Sequence, residues 1–216
     1  SNIAWDAPQD TYMYGVLGEK GFRGLEAAPT RLFPQRPYDC LAQAAELRET
    51  LKRDWGLCVP SLQSIWFGRS ENLFASPEER AALLDYTLRA MDFAAALNCG
   101  NLVFGCPRNR ATHGKGDRKA AVEFFRTLGL AAEQRGTVLA MEANPPIYNT
   151  DFINTTPQAF QLVEEVSVPG FRVNLDVGTM IENRESVDTL SGKVKLVNHV
   201  HISEPGLAPI RRRTFH

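Results

Sequence analysis

Cysteine is scarce in this 216-residue sequence and never paired at short spacing: Cys40, Cys58, Cys99 and Cys106 are scattered, without a CxxC. The spacing therefore signals neither a zinc knuckle nor a dithiol redox motif, and the thiols are expected to be reduced, buried and small. An excess of one charge is also missing. With 24 Lys+Arg against 25 Asp+Glu, the formal charge is −1, so the electrostatic footprint of a protein that holds many phosphates is absent and nucleic acid is not an expected partner. No uncharged apolar run approaches the roughly 20 residues that span a bilayer, and no basic-then-apolar leader opens the chain. A soluble, cytoplasmic protein with no membrane partner is expected. The glycine fingerprint of a Rossmann-type sheet is lacking as well, since Trp5-Asp-Ala-Pro8 stands where it would fall, and there is no P-loop.

What is present is a repeated alternation. Strand-like runs recur at 2–5, 22–28, 57–62, 101–106, 137–143, 171–176 and 197–202. Most are separated by helical patterns. Residues 39–55 place Leu41, Ala44, Ala45, Leu47 and Leu51 at helical spacing, and Ser76-Pro-Glu-Glu79 reads as a capping box opening a helix that runs to about Leu97. Residues 117–134 repeat the device before Arg135-Gly136, and a further helix starts at Thr156-Pro157 and ends near Val166. Between 178 and 196 only a short helix near 186–190 is expected.

Strands alternating with helices imply βαβ units and a parallel sheet. The polar residues choose between an open sheet and a barrel. Nearly every strand run ends in them: Asp6, Glu26, Gln63, Arg108, Glu142 with Asn144, Asp176, and His201 with Glu204. An open sheet would gather such residues at one crevice, whereas a barrel collects them from all strands onto one face. The expected fold class is α/β, a (β/α)8 TIM barrel lacking its last βα unit, with residues 1–216 forming one barrel domain that is incomplete at its C-terminal end. A whole barrel typically takes about 250 residues, so an additional βα unit or a partner subunit is expected to close it.

Glu142, Asp176 and His201 stand at the carboxyl ends of consecutive apolar strands, where side chains point into a barrel mouth. Two carboxylates and an imidazole suit a divalent cation such as Mn²⁺, Mg²⁺, Co²⁺ or Zn²⁺. The bland alternative for each is a capped or salt-bridged strand end. His199 shares a face with His201 one layer deeper and reads as a core or supporting residue, while His113 reads as a solvated loop residue. Glu26 can bind a substrate hydroxyl or pair with an arginine such as Arg31. Loop residues Arg69, Glu71, Asn72, Arg108, Asn109, Arg110, Asn144 and Tyr148 offer polar and flat surfaces of the kind that sugars and their phosphates use. The run Arg211-Arg-Arg213 reads as solvated or phosphate-facing.

The strings Ser1-Asn-Ile-Ala-Trp5, Gly24-Leu-Glu-Ala-Ala-Pro29, Gln63-Ser-Ile-Trp-Phe-Gly68, Asn101-Leu-Val-Phe-Gly-Cys-Pro107, Glu142-Ala-Asn-Pro145, Asn174-Leu-Asp-Val-Gly-Thr179 and His199-Val-His-Ile-Ser-Glu204 resemble the xylose-isomerase-like TIM-barrel superfamily. More narrowly, they look like its bacterial sugar phosphate isomerase/epimerase group. The resemblance implies an enzyme of carbohydrate metabolism, a metal-dependent isomerase or epimerase acting on a sugar or sugar phosphate by proton transfer alpha to a carbonyl through a metal-stabilised enediolate, or by hydride shift. It implies Glu142, Asp176 and His201 as metal ligands, with Glu142 also the catalytic proton-transfer group. A fourth ligand, a Glu on an eighth strand, has no counterpart before His216, and Thr179 stands where ketose 3-epimerases carry a His. Glu26, Gln63, Trp66, Arg69, Arg108, Asn144 and Glu204 are the expected substrate-binding residues, and a homo-oligomer is compatible. The competing expectations are a non-catalytic sugar-binding barrel, a lyase or dehydratase acting on a polyol acid, and, more remotely, a hydrolase of the endonuclease IV kind.

Overall fold

The computed structural model describes residues 1–114 and 116–210. The helices are α1 (Asp10–Glu19), α2 (Pro29–Leu32), α3 (Leu41–Trp55), α4 (Pro77–Ala96), α5 (Arg118–Gln134), α6 (Thr156–Val166) and α7 (Val177–Glu182). The strands are β1 (Leu102–Phe104), β2 (Leu139–Glu142), β3 (Phe171–Asp176) and β4 (Val197–His201), all parallel in the order β1-β2-β3-β4. Isolated parallel bridges continue the sheet beyond β1, from Leu102 to Leu62, from Leu62 to Ala27 and from Cys58 to Gly24. Asn2 N then donates to the Glu26 carbonyl (2.9 Å). The described residues thus supply seven strand positions in one arc. That arc is curled: Glu26 on its second position and His201 on its seventh meet at 2.8 Å.

Each crossover helix buries one stripe against the arc. In α5 the buried positions are Ala121, Phe124, Phe125, Leu128, Gly129 and Ala132, spaced by threes and fours as one face of a helix requires. Phe125 stacks on Phe171 with centroids 5.0 Å apart, and burying a side chain of that size is worth about 1.5–3 kcal/mol. The helix and β3 come so close that Gly129 and Gly170 have no room for a side chain: a Cβ on Gly170 would strike the Gly129 carbonyl and lie 2.8 Å from Glu133 N. Gly170→Ala is therefore expected to lower stability by about 1–3 kcal/mol, the usual range for overpacking, in a urea titration.

The caps differ in detail from the sequence reading. Ser76 accepts from Glu79 N (3.2 Å), but the Glu79 carboxylate turns to Asn72 N (2.7 Å), so only half of the expected box forms. Asp117 caps α5 through Ala120 N alone. A reciprocal box is at Thr155 and Gln158, and α6 starts at Thr156 as expected. Asp39 belongs to a 3₁₀ turn ahead of α3. Three helices, α1, the four-residue α2 and α7, lie outside the helical patterns of the sequence. In α1 two glycines interrupt the pattern and only Tyr14 is buried, and α7 is a six-residue helix whose N-cap is a site residue, Asp176. The short helix expected near 186–190 is a 3₁₀ turn, Val187–Leu190.

All four thiols are free, and Cys99 is buried as expected. Cys58 is exposed instead, lining a depression beside α3. No helix among the described residues is long and apolar enough to cross a membrane. Arg211-Arg-Arg213 and His216 lie outside the described residues.

Candidate metal and substrate site

The site is built by register. Glu142 ends β2 opposite Asn174 in β3, and Asn174 and Asp176 stand opposite His199 and His201 in β4. Sheet neighbours share a face, so these side chains converge on the barrel interior. Between Val173 and Asn174 the register skips Asn198, a β-bulge. Val197 therefore packs against the core outside the arc, while His199 and His201, at the same parity along the chain, face inward.

His201 is held between two carboxylates. Its Nδ1 lies 2.8 Å from Glu142 Oε1 and its Nε2 lies 2.8 Å from Glu26 Oε1. Asn174 Nδ2 donates to Glu142 Oε1 (2.7 Å) and Asn144 Nδ2 to Glu142 Oε2 (3.2 Å). Glu26 accepts in addition from Ser61 Oγ (2.9 Å) and Gln63 Nε2 (3.0 Å). Asp176 caps α7, accepting from Gly178 N (3.3 Å) and Thr179 N (3.2 Å). It is also bonded by Ser203 Oγ. The Thr179 hydroxyl lies 2.9 Å from both Asp176 Oδ2 and the Ala143 carbonyl, so it serves the cap.

Burial is the largest influence on His201 and disfavours its charge, yet hydrogen bonds and charge from Glu142 and Glu26 outweigh it and raise its pKa to about 10. Glu26 is lowered, because His201 and Ser61 overcome burial, and Asp176 is raised by burial and then by the Glu142 charge. The sign of the linkage follows. A group whose folded pKa is raised from 6.5 to about 10 stabilises the fold fully below pH 6.5 and loses that contribution as pH climbs through 10. In chelator-treated protein, urea midpoints are expected to fall across that window, and His201→Asn is expected to flatten the fall.

Glu142, Asp176, His201, Gln63 and Asn144 line one cavity of about 330 Å³, together with Tyr148 and Ser203. Glu26 joins it through His201. The other expected substrate residues are distributed differently. Arg69 and Arg108 line an adjoining depression of about 460 Å³ that shares Ser64, Cys106 and Pro107 with the cavity. Arg69 is paired with Glu71 and sits 4.7 Å over the Tyr86 ring. Trp66 also lines that depression but is mostly core, 2% exposed, bonded through Nε1 to Thr87 Oγ1 (2.8 Å) and packed edge-on against Phe104. Glu204 is buried at 2% exposure and is not among the residues that line the cavity.

Arg31 pairs with Asp10 and leaves Glu26 to His201. Asp6 caps the turn Ala7–Gln9. Asn72 ties the loops together, donating to the carbonyls of Arg108 (3.2 Å) and Ala111 (3.0 Å). His113 is exposed in its loop, as expected.

Arg110, expected in a solvent-facing loop, is completely buried. Its guanidinium donates to the carbonyls of Gly105 (2.7 Å), Ile153 (3.3 Å), Phe152 and Glu142 (3.0 Å), and to Asn144 Oδ1 (2.6 Å). It thereby grips the main chain of Glu142 and the amide that steadies the Glu142 carboxylate. Nothing in the local pattern Pro107-Arg-Asn-Arg110 distinguishes this arginine from Arg108.

The donor set fits a divalent cation. Glu142, Asp176 and His201 line one strand-end mouth, and Asn174 Oδ1 is buried without a partner among the described residues. A curled parallel barrel with such a mouth defines the class of protein. The family model for xylose isomerase-like TIM barrels matches residues 16–214, and the chain belongs to that family. No curated protein gives a significant match.

Among solved structures, D-psicose 3-epimerase with D-fructose superposes with a TM-score of 0.70 at 20% identity, over 92% of this chain and 71% of that one. The 3-keto-D-glucoside 4-epimerase YcjR from E. coli gives 0.67 at 21% identity, over 88% and 72%. A fusion of a xylose isomerase-like TIM barrel with 4-hydroxyphenylpyruvate dioxygenase gives 0.72 at 18% identity, over 92% of this chain. The chain spans only 30% of that fusion. At these identities the likeness establishes the fold.

Proposed function

We propose that residues 1–216 are one barrel domain of a metal-dependent isomerase or epimerase acting on a sugar or sugar phosphate by proton transfer alpha to a carbonyl. The observation that carries this reading is the convergence of Glu142, Asp176 and His201 on one cavity at the strand ends. Glu142, Asp176 and His201 would hold the cation. When bound, a divalent ion supplies the positive charge that an oxyanion developing beside the reacting carbon requires.

Glu142 takes or returns the proton, and its carboxylate is aimed for this by Asn174 and Asn144. Gln63 and Asn144 offer amide groups to substrate hydroxyls. Arg108 in the adjoining depression would meet an anionic end group, with Arg69 beside it paired to Glu71, which favours a phosphorylated or otherwise acidic substrate. The epimerases among the structural neighbours support the class of reaction.

The test is elemental analysis of the full-length protein followed by assay on a panel of ketoses and their phosphates in D₂O. Chelation should abolish turnover, Mn²⁺ or Co²⁺ should restore it, and solvent deuterium should appear at the epimerised carbon. Turnover that is indifferent to chelation would reject the metal-dependent reading. Product free of deuterium would replace proton transfer by hydride shift.

A further inference from the structure

The His201 ring has two nitrogens facing two different sets of ligands. Nδ1 faces Glu142 at the mouth, whereas Nε2 faces Glu26, which stands on the second strand position of the arc, across the interior. Next to Glu26 stands a second imidazole, with His199 Nε2 3.7 Å from the same Oε1 that lies 2.8 Å from His201 Nε2. Glu26, His199 and His201 each offer one ligand atom, and the three atoms lie within 4.8 Å of one another.

We propose that these three residues form a second cation site, below the Glu142 and Asp176 pair, that takes a borderline d-block dication such as Zn²⁺ or Co²⁺ through Glu26 Oε1 and Nε2 of both histidines. The proposal rests on the metal-site reading of the mouth only in that His201 is common to both.

Distances and chemistry point the same way. Ligands around a tetrahedral zinc with Zn–N bonds of about 2.0–2.1 Å stand about 3.3 Å apart. The observed separations of 2.8 and 3.7 Å straddle that value, so side-chain adjustments of a few tenths of an ångström would admit the ion. Two imidazoles and one carboxylate suit zinc or cobalt better than magnesium, which prefers oxygen.

The carboxylate is also oriented as a ligand's would be. Ser61 and Gln63 donate to its two oxygens. Ser61 accepts from Asn101 Nδ2 (2.9 Å), whose Oδ1 accepts from Asn198 Nδ2 (2.7 Å). This chain of amides and a hydroxyl ties Glu26 to the bulge of β4, the strand that carries both histidines, and such outer hydrogen bonds fix ligand geometry in metal sites.

The test uses full-length protein stripped with chelator and refilled with Co²⁺ or Zn²⁺. In the Glu142→Gln, Asp176→Asn double variant, which neutralises the mouth, one Co²⁺ per chain should still bind, with visible d–d bands. Adding His199→Asn or Glu26→Gln should weaken that binding by more than the roughly 10–100-fold that loss of an outer partner costs.

In the unmutated chain, ¹⁵N-histidine spectra should show Zn²⁺ shifting Nε2 of both His199 and His201, a readout that needs no variant to fold. If the double variant binds no Co²⁺, or if saturating Zn²⁺ leaves His199 Nε2 unmoved, the inner site does not exist. Retained turnover in the double variant would instead reject the proposed function and leave this site standing.

Discussion

Glu142→Gln in the full-length protein should unfold as cooperatively as the parent, bind divalent cation far more weakly at the mouth, and lose turnover by about 10²–10⁴-fold, the usual contribution of a general base. The fold should survive because the amide oxygen can still accept from Asn174 Nδ2, and only the longer contact from Asn144 Nδ2 to the other carboxylate oxygen is given up. Asp176→Asn should behave alike for a sharper reason. Asp176 both caps α7 and offers charge to the mouth, and Asn caps a helix as well as Asp does. The substitution therefore removes charge and keeps one of the two cap bonds. Urea unfolding, metal stoichiometry and turnover measured on one preparation would separate the two roles. Wild-type stoichiometry together with wild-type turnover in either variant would remove that residue from the site.

Arg110→Met should destabilise by about 3–5 kcal/mol. The side chains are of similar length, so the loss is one of hydrogen bonding. Carbonyls of Gly105, Phe152 and Glu142 and the Asn144 amide oxygen would lose their buried donor, and each unsatisfied buried group costs about 1–3 kcal/mol before relaxation. Arg110→Lys should recover little, because an ammonium has three donors on a point and cannot reach acceptors spread around a planar fork. A urea midpoint for Arg110→Lys close to that of the parent would show that charge alone suffices there.

The parts of this molecule that sequence reading reaches are those written in periodic or local code. The buried face of α5 repeats by threes and fours, and strand runs such as 139–142 and 171–176 are short, apolar and bounded by turns. Glu142, Asp176 and His201 could be named because each follows such a run directly. Glu26 was visible as a strand-end carboxylate, but its partner lies 175 residues away, across a curl that no local pattern encodes.

The burial of Trp66 and Arg110 escapes such reading for a related reason. Loop positions next to a site invite a binding role, and only packing shows that the indole fills the space beside Phe104 and that the guanidinium has turned inward. The full capping box at Thr155 and the half-formed one at Ser76 make the same point at smaller scale, since Glu79 had a second donor to choose.

The extra residue in β4 acts as a phase shifter. Ahead of Asn198 the odd-numbered position Val197 faces the helices; after it, odd-numbered His199 and His201 face the interior. One strand is thus divided into a length that can be tuned for packing and a length that can be tuned for chemistry, with a mismatch in parity between them. Anyone moving the His199-Val-His201 run to another strand must carry the additional residue along or shift by one everything that precedes it. Otherwise the valine that now seals the helix layer would occupy the chamber meant for a ligand.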